Sequence, residues 1–192
     1  MPLTIGLTGG IAAGKSEALA AFGRLGVATL SSDAVVHELL DSEPLRGRLV
    51  GRWGAEVAPG GIVDRARIGE IVFADPEQLT WLEGQVHPLV GERIAAWLTG
   101  LPAEADVAVI EVPLLFESGM EGVFDTTVAI VTADEVRLER AAARGHALVG
   151  EREARQLLQD EKAERAAHAI ANDGSVEDLE QALSALLAKL RE

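Results

Sequence analysis

Apolar positions along this chain arrive in two rhythms. Continuous runs at 3–8, 27–30, 107–112 and 126–131 read as buried strands, since a strand covered on both faces shows no alternation. The third run is broken only by Glu111. Elsewhere the spacing changes to three and four residues. Leu19, Phe22 and Leu25 mark a helix over 17–25, and Val35, Val36, Leu39 and Leu40 mark another after Ser31-Ser32-Asp33. Residues 44–100 read mainly helical with glycine interruptions; Asp75-Pro76 starts one helix and Pro102 lies beyond the end of another. The pattern then predicts a helix over 134–144, a charged helical stretch over 150–165, a short strand at 167–171 and an amphipathic helix over 176–190.

Strands separated by helices of this length imply right-handed βαβ crossovers and a parallel sheet covered on both faces. The fold expected is α/β, a doubly wound parallel sheet, with a helical insert at about 34–100 over the carboxyl edge of the sheet. At roughly 150 residues per domain, a chain of 192 residues is one domain.

Composition narrows the function. The net charge of −14 argues against a general nucleic-acid binder, which needs a basic face. The chain has no cysteine, so disulfides, thiolate metal sites and cysteine nucleophiles are excluded together, and a reducing compartment suits it. No run approaches the ~18 apolar residues of a membrane span, and Met1-Pro2-Leu3-Thr4-Ile5 lacks the basic lead of a secretory signal. A soluble, cytoplasmic protein is expected, binding small molecules and neither nucleic acid nor membrane. Its oligomeric state is not legible.

The chemistry is concentrated near the start. Gly9-Gly10-Ile11-Ala12-Ala13-Gly14-Lys15-Ser16 satisfies G-x-x-x-x-G-K-[ST], between a strand and a helix. Such a loop turns successive backbone N–H groups inward to cradle phosphates, and the helix behind aims its positive end at them. Lys15 reaches the β- and γ-phosphates of ATP, and the Ser16 hydroxyl ligates Mg²⁺. A guanine-reading N-K-x-D is missing: Asn172, followed by Asp173, is the only asparagine. Asp33, just past the second strand, either caps the next helix or accepts a proton from an attacking hydroxyl.

Further residues carry a resemblance. Ile5-Gly6-Leu7-Thr8-Gly9-Gly10-Ile11, Trp53-Gly54, Gly61-Ile62-Val63-Asp64-Arg65, Val72-Phe73, His87-Pro88-Leu89-Val90, Val112-Pro113-Leu114-Leu115-Phe116-Glu117 and Asn172-Asp173-Gly174-Ser175 follow one another in the order of the dephospho-coenzyme A kinase family, which the chain resembles over essentially its whole length. It departs in having Ser31-Ser32-Asp33 where the family has D-A-D, and in a 159–172 segment a few residues shorter.

The resemblance implies ATP-dependent phosphorylation of the ribose 3′-hydroxyl of dephospho-coenzyme A, with Asp33 as the base. Another small-molecule kinase of the nucleoside or nucleotide type, or a non-catalytic ATP-binding switch, stands as the alternative. His87 is either structural or a substrate contact, and the resemblance leans to the substrate. Leu114, Leu115 and Phe116 either pack in the core or shape the acceptor pocket. The resemblance assigns Asn172 to ATP binding. Of the arginines between 137 and 165, Arg140 and Arg144 are assigned to a lid at about 138–155 that closes on ATP, Arg140 catalytically. Arg137, Arg152 and Arg165 are read as a solvated face.

Overall fold

The computed structural model describes residues 1–143 and 156–192, so the expected lid lies largely outside the described residues. The chain divides into two compact units, Met1–Ser31 with Leu101–Glu192, and Ser32–Gly100.

The first unit is built on five parallel strands: β1 (Leu3–Gly9), β2 (Ala28–Ser31), β3 (Val107–Glu111), β4 (Thr126–Val131) and β5 (His168–Ala171). Their order in the sheet is β2-β3-β1-β4-β5. Every pairing is parallel, with Leu7 opposite Glu111 and Val128, and Ser31 opposite Glu111. On one face Ile5, Leu7, Val107, Val109, Val128 and Ile130 pack against α1 (Lys15–Arg24) and α8 (Val176–Leu190). Helix α8 supplies Leu179, Leu183, Leu186 and Leu187, the three-and-four-residue stripe expected of an amphipathic helix. Its start is a reciprocal cap in which Ser175 Oγ accepts from the Asp178 N–H and Asp178 accepts from the Ser175 N–H. The opposite face is covered as well. A Cβ placed on Gly6 would stand 2.8 Å from Phe124 and 3.2 Å from Leu115. Helices α6 (Asp134–Ala143) and α7 (Gln159–Arg165) also belong to this unit. Of the charged stretch expected over 150–165, the helical part among the described residues is α7 alone.

The second unit is helical throughout: α2 (Ser32–Asp41), α3 (Glu43–Trp53), α4 (Arg65–Ala74) and α5 (Pro76–Thr99), with two single 3₁₀ turns before α4. Asp64 and Asp75 are side-chain N-caps of α4 and α5, each accepting first-turn N–H groups. Trp53 and Trp81 meet edge to face at 5.2 Å, and Trp53 Nε1 donates to Gln78.

Candidate active site

The phosphate loop lies where β1 gives way to α1, and close approach dictates its glycines. A Cβ on Gly9 would come within 2.5 Å of the Ile130 carbonyl oxygen, so β4 leaves room there for hydrogen only. Gly14 holds φ +93°, in the left-handed region, and a Cβ there would meet Asn172 Nδ2 at 2.1 Å. The loop is braced from behind: Asn172 Nδ2 and Thr132 Oγ1 donate to the Ala13 carbonyl at 2.8 and 2.9 Å. Among the described residues no side chain caps α1 at Gly14, so the positive end of the helix is left for an anion.

Lys15 folds over the loop and donates from Nζ to the carbonyls of Gly10 (2.9 Å) and Gly9 (3.2 Å). Ser16, next on α1, is exposed. Arg140 reaches the same place from α6: its Nη1 donates to the Asn172 carbonyl at 2.9 Å and lies 3.9 Å from where a Gly14 Cβ would be. Asn172, expected to bind ATP, is 5% exposed and spends its amide on the loop itself. Arg144 lies outside the described residues, as do Arg152 and Arg155.

Arg137 departs from the solvated reading. Its side chain is 24% exposed, pairs with Asp134, and lines a cleft of about 260 Å³ together with Gly10, Ile11, Gln156 and Gln159. Arg165 is not merely solvated either, since its guanidinium stacks over the Phe116 ring at 4.8 Å and pairs with Glu121.

The loop after β3 separates the three candidates for the acceptor pocket. Leu114 is 39% exposed, whereas Leu115 and Phe116 are buried, Leu115 against Gly6 and Phe116 beneath Arg165. For those two the packing alternative describes what the structure shows.

The residues that sequence reasoning missed sit behind this loop. Lys162 is fully enclosed; its Nζ donates to the Pro113 carbonyl at 2.6 Å and pairs with Glu117 at 3.0 Å. Burial pushes the Lys162 ammonium below the usual lysine range, and the Glu117 carboxylate opposes that shift. Gln159 binds Thr132 in both directions, accepting from its N–H and donating to its carbonyl. One signal was available: fourteen of the seventeen basic residues are arginine, so Lys162 is one of only three lysines, a residue whose compact head carries three donors.

In the second unit, Asp33 lies within the first turn of α2, exposed, one residue inside the helix and so not at the capping position. It follows Ser31, the end of β2, by two residues. His87 is exposed on α5, immediately before Pro88.

The family described as Dephospho-CoA kinase matches residues 3–178. A dephospho-CoA kinase of Thermus thermophilus is 38% identical, with 98% of this chain and 92% of that protein covered. A crystal structure from Thermus thermophilus superposes with a TM-score of 0.85 at 38% identity, over 98% of both chains. The dephospho-CoA kinase of Campylobacter jejuni does so with a TM-score of 0.72 at 28% identity, over 99% of this chain and 98% of that one.

Proposed function

The chain belongs to the dephospho-CoA kinase family, and on that premise we propose how its residues carry the γ-phosphoryl group of ATP to the ribose 3′-hydroxyl of dephospho-coenzyme A. The products are coenzyme A and ADP. The observation that carries the reading is the uncapped start of α1 behind a loop whose Gly9 and Gly14 leave no room for a side chain.

Phosphoryl transfer asks a protein mainly for positioning and charge. Backbone N–H groups of residues 9–14 hold the phosphates, and Lys15 turns from the loop carbonyls to the β- and γ-oxygens. Arg140, already beside Gly14, adds a planar fork suited to phosphate oxygens as charge builds in the transition state. Arg144 is assigned to the same task, and Asn172 supports ATP binding by holding the Ala13 carbonyl. Asp33 accepts the proton of the attacking hydroxyl. Its exposed carboxylate and its place just past the end of β2 support that role. His87 and Leu114 are assigned to the acceptor, with Leu115 and Phe116 backing the loop that carries Leu114.

The residues present fit Mg²⁺. This hard ion takes oxygen ligands and keeps most of them from phosphate and water, so the single exposed Ser16 hydroxyl suffices on the protein side. When bound, Mg²⁺ neutralises charge on the β- and γ-phosphates. No helix among the described residues is long and apolar enough to cross a membrane. The cysteine-free, acidic composition supports a cytoplasmic enzyme of small molecules.

The test is an acceptor panel with Mg-ATP. Dephospho-coenzyme A should turn over at least about 100-fold faster than nucleosides or nucleoside monophosphates, a discrimination of roughly 2.7 kcal/mol; a flat panel sinks the assignment. Asp33→Asn should lower kcat on the order of 10²–10⁴-fold while ATP affinity and melting temperature hold.

A further inference from the structure

Helix α7 has only seven residues, yet its side chains bind the chain just beyond two strands, β3 and β4, which flank β1 in the sheet. Beyond the end of β3, Lys162 Nζ donates to the Pro113 carbonyl (2.6 Å) and pairs with Glu117 Oε1 (3.0 Å). Beyond the end of β4, Gln159 closes its two hydrogen bonds with Thr132, at 2.8 and 2.9 Å. Between them stands β1, where Thr8 Oγ1 donates to the same Pro113 carbonyl at 3.2 Å. Thr8 immediately precedes Gly9, the first residue of the phosphate loop, and a Cβ on Gly10 would lie 3.2 Å from Gln159 Cβ. The strand ends on either side of the loop are therefore bound to one helix, and the loop leaves the sheet between them.

This is a poor arrangement if stability is all it provides. A buried ion pair seldom outdoes an apolar pair of the same volume. Here the anionic partner is also under-used, since Glu117 Oε1 accepts from Lys162 and from the Leu157 N–H (2.8 Å) while its buried Oε2 has no hydrogen-bond partner among the described residues. An ammonium does offer several donors on one compact head, enough to grip a carbonyl and a carboxylate at once.

We propose that Lys162 is a positioning residue for phosphoryl transfer: its ammonium holds the Pro113 carbonyl against Thr8 and so sets the point at which the phosphate loop leaves β1. The proposal rests on residues 9–16 being the ATP site. Lys162 acts through Pro113 and Thr8 and touches no reacting atom. Its loss displaces the loop slightly without dismantling it, and small misplacements weigh on the transition state more than on ground-state binding.

The decisive protein is Lys162→Met/Glu117→Gln, because removing both charges avoids stranding a buried carboxylate. Its melting temperature should stay near that of the parent and its Kd for ATP, read by calorimetry, within about threefold. Its kcat should fall on the order of 10-fold to 100-fold. A folded double variant whose kcat lies within about twofold of the parent overturns the proposal and leaves Lys162 a structural ion. If the double variant does not fold, Thr8→Val decides. That isosteric change removes the other donor to Pro113, so a fall in kcat of about threefold or more at parental melting temperature and ATP affinity supports the proposal, and parental kcat overturns it. Turnover of dephospho-coenzyme A by the parent, in the same assay, tests the kinase reading separately. Should the parent fail there, the variants are compared on their slow hydrolysis of ATP.

Discussion

Gly14→Ala adds one methyl group at the joint between phosphate loop and helix, and the structure separates its cost into two parts. The first is backbone: at φ +93° an L side chain is strained by about 1–2 kcal/mol. The second is a collision, since the new Cβ would lie 2.1 Å from Asn172 Nδ2. That amide cannot swing aside freely, because it is buried and donates to the Ala13 carbonyl at 2.8 Å. Displacing it strands a buried donor, at about 1–3 kcal/mol. The total is about 2–5 kcal/mol. In a chain of 192 residues each kcal/mol moves the melting temperature by about 2–4 °C, so a drop of about 4–20 °C is expected.

The two parts come apart in a double-mutant cycle. In an Asn172→Ala background the collision is gone, and Gly14→Ala should then cost only its backbone share. The coupling read from denaturant or thermal melts should be about 1–3 kcal/mol. Strict additivity, within about 0.5 kcal/mol, would refute the claim that Asn172 is what the glycine makes room for.

Two further outcomes are expected. Leu115→Ala, at a fully buried position, should destabilise by about 2–5 kcal/mol, whereas the exposed Leu114→Ala should stay within about 0.5 kcal/mol in melts and instead raise KM for the acceptor. Equal melting losses would contradict the division drawn between them. Acid stability should report Asp125 and Asp178. The Thr4 N–H and hydroxyl lower the first below its ordinary 3.8, and the Ser175 N–H and hydroxyl lower the second. Groups depressed in the fold contribute stability that is present above 3.8 and lost as pH falls through their folded values. Asp125→Asn/Asp178→Asn should therefore flatten the fall in melting temperature below about pH 4; an unchanged slope would count against these bonds as the cause.

Much of this molecule was legible in the chain. Strand β4 and helix α8 stand at the residues their patterns mark out, 126–131 and 176–190, and the phosphate loop follows β1 as its motif requires. These features are local: a continuous apolar run, a three-and-four stripe and a glycine loop each state their conformation within a few residues. What only the tertiary structure decided depends on distant partners. The pattern made 150–165 a charged helical stretch, but Lys162 within it is enclosed, and a carbonyl 49 residues away accepts its hydrogen bond. Leu114 and Leu115 are alike in sequence and opposite in burial, since a glycine on β1 opens space beneath only one of them. Asn172 is a loop brace because its amide meets Ala13, 159 residues earlier in the chain. Periodicity records how a segment folds on itself; which charge is buried, and against what, is set when segments far apart in the chain meet.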